Sequence, residues 1–210
     1  MIARADCRGG IPYSGRQIKK MIKKIKSILT GDFVCPWWLC PSFDNPVRKL
    51  FHNPQKILGQ YIKQGDKVLD IGPGMGYFTF PMAEMVGHNG KITALDIQEK
   101  MLNKLKNKID KRGVKNIDAQ IYDGNTFPFK EKFNLILLFW MYHEVQNRDV
   151  FINEIKSAAA NETKIFIAEP IIHVPKKKFY DIIQLLIDSG FNIIERPNVS
   201  FSRTVVLMKK

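Results

Sequence analysis

The chain has little cysteine: three in 210 residues, Cys7, Cys35 and Cys40. An odd, small number in a chain this long argues against a disulfide scaffold and for a reducing compartment. Long apolar runs are missing too. The longest, Leu135 to Tyr142, is well short of the roughly 20 residues that a membrane-spanning helix needs. The first thirty residues lack the central apolar block of a secretory signal. These absences argue against an integral membrane protein or a secreted one, and the expected location is cytoplasmic. No internal repeat or low-complexity tract is present. Carboxylates are scarce beside cations, 20 Asp and Glu against 33 Lys and Arg, for a net charge of +13.

What is present suffices for a globular core. Apolar residues make up 45% of the chain and charged residues 25%, and the length fits one domain or one domain with an appendage. The basic character is uneven. Residues 1–60 hold eleven Lys/Arg against three Asp/Glu. Such a surface attracts RNA, anionic lipid or anionic metabolites, or simply keeps a basic protein in solution. The chain therefore divides into residues 1–54, a tail with an extension, and residues 55–210, the main domain.

Residues 1–16 show no periodicity and read as a loose tail. Met21 opens a sensible helix, so what precedes it reads as an extension or a scar. In residues 17–30, Ile18, Met21, Ile22, Ile25, Ile28 and Leu29 recur at helical spacing, and Lys19, Lys20, Lys23, Lys24 and Lys26 fill the other face. This predicts a short basic amphipathic helix, either docked on the domain or facing a membrane surface or RNA. Residues 33–54 carry four prolines and many aromatics, a composition that opposes long regular elements.

From Lys67 onward apolar strands alternate with helices. Strands are expected at 68–71, 91–97, 116–122, 135–139, 164–168, 191–195 and 204–208. Helices are expected at 55–62, from the glycine cluster to about Val86, and at 99–111, 150–160 and 176–188. The fourth strand is apolar throughout and should be buried on both faces. The order predicts an α/β fold: a doubly wound, mostly parallel seven-stranded sheet, helices on both faces, and an antiparallel last strand.

The sharpest motif follows the first strand: Asp70, Gly72, Gly74 and Gly76 in Asp-Ile-Gly-Pro-Gly-Met-Gly. In a doubly wound sheet this turn lies where ligands bind. Its spacing is G-x-G-x-G. The dinucleotide fingerprint needs glycine at 77, where Tyr77 stands, and no phosphate-loop motif occurs. Asp96 ends the second strand, twenty residues after Gly76, where a carboxylate accepts both hydroxyls of a ribose. Asp123 follows the third strand. Three carboxylates around one mouth suit a ligand with a cationic part, a ribose and an exocyclic amine, and repel a polyphosphate.

Residues 55–170 resemble the class I S-adenosylmethionine-dependent methyltransferases. Val68 to Tyr77 resembles their first motif, Thr93 to Ile97 the segment that holds the ribose, and Asp123 to Phe129 the segment beside the adenine. Phe133 to Val145 resembles the fourth strand and the loop over the methionine part. The resemblance implies S-adenosylmethionine as cofactor, held by Asp70, Gly72, Gly74, Gly76, Asp96, Ile97, Asp123, Gly124 and Phe139, with hydrogen bonds to loop amides as the other role open to Asp70. Asn134 departs from the aspartate that many relatives carry there, a residue that is usually structural.

Methyl transfer from a sulfonium is an in-line displacement, so the protein chiefly aligns the acceptor and excludes water. A base is needed only where the nucleophile carries a proton. His143 is the candidate base, or else a packed histidine bonded to backbone, and Glu144 is a weaker candidate. The Asn/Asp-Pro-Pro-aromatic motif of amino-group nucleic-acid methyltransferases is missing. Trp37, Trp38, Phe43 and Trp140 are candidates for an acceptor wall, with anchoring of the N-terminal segment as the plainer role of the first three. His173 is read as a loop histidine. Cys7, Cys35, Cys40 and His52 have no regular metal spacing, so no metal is expected. The leading expectation is a small-molecule acceptor. The alternatives are an RNA methyltransferase using the lysine helix, or a non-catalytic module that binds S-adenosylmethionine and a partner.

Overall fold

The computed structural model describes residues 46–209. The expected lysine helix, the three cysteines, Trp37, Trp38 and Phe43 lie outside the described residues. Two short helices come first, α1 (Pro46–Phe51) and α2 (Pro54–Leu58). In α2, the Asn53 side chain accepts the Lys56 amide at 3.0 Å and Pro54 occupies the first turn, where its missing N–H costs nothing. The helix is shorter than the 55–62 expected, because the chain turns at Gly59 and Tyr61 N–H closes onto the Leu58 carbonyl.

The strands are β1 (Lys67–Ile71), β2 (Lys91–Asp96), β3 (Ile117–Ile121), β4 (Phe133–Phe139), β5 (Ala159–Pro170), β6 (Phe191–Glu195) and β7 (Ser202–Lys209). Their spatial order is β3-β2-β1-β4-β5-β7-β6. Pairs from β3 through β5 are parallel, and β7 runs antiparallel to both β5 and β6. This is the seven-stranded sheet with a reversed last strand that the sequence predicts. The helices α3 (Thr79–Val86), α4 (Glu99–Arg112), α5 (Arg148–Ala158) and α6 (Lys176–Asp188) cover it.

Alternation along β4 explains its apolar run. Leu135, Leu137 and Phe139 join Val68, Ile92 and Phe166 under Leu58, Met82, Ala83 and Val86. Ile136 and Leu138 point the other way, to Phe151, Ile155, Phe179 and Ile182 of α5 and α6. Both faces are covered, as parallel strands require. Asn134 is exposed at the strand's start, and its side-chain oxygen accepts the Lys67 amide at 2.8 Å. An amide oxygen serves that bond as a carboxylate would, which accounts for the tolerated departure. The fifth strand begins earlier than expected, directly after α5. There the register between Phe133 and Leu135 shifts, and Thr163 Oγ1 donates to the Phe133 carbonyl at 2.5 Å.

Candidate methyl-donor site

The order of strands reverses between β1 and β4, and the connections leaving their carboxyl ends part to opposite faces of the sheet. That divergence opens a crevice. A cavity of about 800 Å³ fills it, lined by the ends of β1, β2, β3 and β4. Its size suits a ligand somewhat larger than a nucleoside, within the ~300–1,000 Å³ of small-molecule sites.

The glycine loop forms its floor. Gly72 has φ 71°, and a Cβ there would lie 2.9 Å from Met141 Cβ. Only glycine lets the β1 and β4 loops approach this closely. Gly74 also lines the cavity. Gly76 has another task. It does not line the cavity, and a Cβ on it would meet Phe80 and Leu105 at 2.6 and 2.8 Å, so it lets α3 and α4 close on each other. Lys108 of α4 donates to the Met75 carbonyl at 3.0 Å and fastens the loop from outside.

The three carboxylates separate in role. Asp96 lines the cavity, nearly buried, with Oδ1 accepting the Gln98 amide at 2.8 Å. Burial pushes its carboxyl up to about 6, against the lowering effect of the Gln98 and Ile97 amides. Asp123 is open to solvent on the cavity wall. Its Oδ1 accepts the Thr126 and Asn125 amides at 3.0 and 2.8 Å, and these bonds hold its carboxyl below the usual range. Asp70 is buried behind the loop and does not line the cavity. Thr79 Oγ1 donates to it at 2.6 Å, while burial, with Asp96 nearby, raises its carboxyl to about 7. Two of the three thus reach the mouth, and the third braces the start of α3.

Ile97, Gly124 and Trp140 line the cavity as well. Ile97, Met101 and Ile121 give it an apolar wall beside Asp123, a surface suited to a flat heteroaromatic ring. Phe139 does not line it. Its ring turns to the opposite side, 4.3 Å from Phe78 and 5.4 Å from His52. Trp140 makes the reversal with φ 61°, held by its amide on the Ala168 carbonyl (2.7 Å) and by Nε1 donating to Ser202 Oγ (2.9 Å). A bulky residue in the left-handed region is costly and marks functional loops.

Beyond Trp140 a short 3₁₀ turn, Tyr142–Glu144, carries the ionisable groups. Glu144 lines the cavity and His143 does not. His143 is nearly buried, with Nδ1 bonded to Glu169 Oε2 and Nε2 3.9 Å from the Glu144 carboxylate. Glu169, at the end of β5, is fully buried, and its other oxygen accepts the Tyr142 amide at 2.9 Å. Glu169 carries no signal along the chain, because nothing in the order of residues says that the ends of β4 and β5 meet. Met101 and Met141 line the cavity too, and no local pattern separates such methionines from core ones. Among the described residues no cluster of three or more metal-binding side chains occurs.

Residues 62–187 match the methyltransferase domain family model, and the chain belongs to that family. The fold and the crevice are those of a class I S-adenosylmethionine-dependent methyltransferase. A solved S-adenosylmethionine-dependent methyltransferase from Aquifex aeolicus superposes with a TM-score of 0.77 at 25% identity, covering 84% of this chain and all of that one. Aklanonic acid methyltransferase DauC of Streptomyces sp. is 37% identical over 75 residues, 35% of this chain and 34% of that protein. The ubiquinone/menaquinone biosynthesis C-methyltransferase UbiE of Psychromonas ingrahamii is 27% identical over 139 residues, 64% of this chain and 53% of that protein. The chain thus spans between about a third and a half of these two curated relatives.

Proposed function

We propose that the protein transfers the methyl group of S-adenosylmethionine to a small-molecule acceptor. The observation that carries this reading is one cavity with the glycine loop as floor, Asp96 and Asp123 on adjacent strand ends, and an apolar wall between them. The donor set fits the cofactor. Asp96 keeps an acceptor oxygen for ribose hydroxyls, Asp123 one for an exocyclic amine, and Ile97, Met101 and Ile121 a face for the adenine. Bound S-adenosylmethionine supplies an electrophilic methyl group on a sulfonium.

The remaining work is positioning. Trp140 and Met141 border the cavity at the end of β4, where they exclude water and orient an acceptor. Where the acceptor carries a proton, Glu144 is the group on the wall placed to take it. His143 and Glu169 stand behind as positioning residues, the buried carboxylate fixing the imidazole and the imidazole bordering Glu144. The relatives' names, an aklanonic acid methyltransferase and a C-methyltransferase of ubiquinone/menaquinone biosynthesis, make small organic metabolites the first class to try. The RNA alternative rests on lysines outside the described residues.

Calorimetry with S-adenosylmethionine tests the cofactor site. Asp96→Ala should weaken binding by about 1–3 kcal/mol, the cost of stranded hydrogen bonds. Unchanged affinity would move the site elsewhere. Transfer of a labelled methyl group into fractionated cell extract tests the acceptor class: label in small molecules supports the proposal, and label confined to RNA replaces it.

A further inference from the structure

The surface beside the cavity mouth carries large apolar side chains in water. Leu50 is 80% exposed, Ile172 78%, Phe201 50%, Phe51 46% and Ile171 43%. They form one patch. The Phe51 and Phe201 rings meet edge-on at 5.2 Å, and the Ile171 amide donates to the Phe201 carbonyl at 3.0 Å. The patch adjoins the cavity through Ser202, which holds the Trp140 indole.

Its framework is fixed. His52 Nε2 donates to the Ser200 carbonyl at 2.7 Å, tying the end of α1 to the loop that bears Phe201. Phe201 itself has φ 57°, a conformation that costs a bulky residue free energy and still presents its ring outward. Side chains spread singly over a surface need no explanation, whereas a contiguous, braced patch marks a docking face.

Its charge is one-sided. Two of the segments that build it, residues 170–180 and 196–203, contain five Lys/Arg and no Asp or Glu, whereas Arg48 of α1 turns inward, its guanidinium 4.3 Å over the Tyr77 ring. Lys176, Tyr180, Arg196 and Arg203 line a small basic hollow at its edge. Arg203 donates to the Val174 carbonyl at 2.9 Å and so stays beside the isoleucines. Apolar side chains bordered by cations match the boundary of an anionic bilayer, whose acyl region takes the former and whose headgroups attract the latter. RNA could stack only on the Phe51 and Phe201 rings and would leave the most exposed side chains, Leu50 and Ile172, without a partner.

We propose that this face docks the protein on anionic lipid bilayers, with the cavity mouth at the membrane surface. Vesicle flotation of the full chain tests it, using phosphatidylcholine alone and phosphatidylcholine with about 30 mol% phosphatidylglycerol. The expected result is flotation with the anionic vesicles only, weakened about tenfold or more by about 0.5 M NaCl, as screened charges require. The triple variant Leu50→Ser, Ile172→Ser, Phe201→Asn should lose about tenfold or more in partitioning. It alters exposed side chains, and asparagine tolerates the left-handed backbone at 201, so its melting temperature and cofactor affinity should match the parent and report folding separately. Flotation unaffected by this variant but abolished by Lys19, Lys20, Lys23 and Lys24→Ala would overturn the proposal in favour of the N-terminal segment. So would absence of flotation, or self-association in the ultracentrifuge that the triple variant removes, which would give the face to a second copy of the chain.

Discussion

Asp96 offers the sharpest test of the donor site, because its burial has a consequence for pH. The carboxyl sits at about 6 in the free protein. Ribose hydroxyls donate to its ionised form, so binding favours the deprotonated state and takes up the cost of ionising it when the pH is low. The apparent dissociation constant then scales with one plus the ratio of protonated to ionised carboxyl. At pH 7 that factor is close to one, and at pH 5 it is about ten, which corresponds to roughly 1.4 kcal/mol. Cofactor affinity should therefore fall roughly tenfold between pH 7 and pH 5, with proton release on binding at the acid end. Isothermal calorimetry in two buffers of different ionisation enthalpy reads both quantities. Asp96→Asn should bind more weakly at pH 7 and show no such slope. A flat profile in the parent, or the same slope in Asp96→Asn, would refute the assignment of Asp96 to the ribose. Asp70→Asn is the control, since Asp70 stands behind the loop rather than on the cavity wall.

The buried Asp70 carboxyl bears on stability rather than binding. Its folded-state value, about 7, lies above the unfolded one near 3.8, so the folded protein holds a proton that the unfolded chain releases. Stability should fall as pH rises from about 4 to about 7, by up to roughly 4 kcal/mol for three units, and denaturant melts of Asp70→Asn should lose most of that slope. Gly76→Ala combines left-handed strain of about 1–2 kcal/mol with overpacking against Phe80 and Leu105 of about 1–3 kcal/mol. Thermal unfolding should register a large drop, while Gly74→Ala, with its nearest obstruction 3.8 Å away, should cost only the strain and weaken cofactor binding instead. Glu169→Gln places an amide against His143 Nδ1 and should lower kcat by about tenfold or more for a proton-bearing acceptor, with cofactor affinity unchanged. An unaltered kcat and pH–rate profile in that variant would remove His143 and Glu169 from the reaction.

Much of this protein is legible along the chain because its signals are local. Alternating strands and helices specify the doubly wound sheet, and the two final strands without an intervening helix specify the antiparallel pair at one side of it. Glycine spacing and an aspartate at the next strand end point to the donor site, since each depends on a turn of a few residues. Pairings across the sheet are not local, and they decided the rest. Gly76 and Asp70 sit in the motif yet serve helix packing and the Thr79 contact, because neighbours from α3 and α4 fill the space behind the loop. Phe139 turns away because strand alternation puts it on the side of Phe78 and His52, and the left-handed turn at Trp140 then returns the chain to the cavity. Glu169 became visible only where β4 and β5 end side by side, 26 residues apart in the chain from His143. Residue order fixes which groups stand at strand ends, whereas the parallel register of β1, β4 and β5 decides which of them face one another across the crevice.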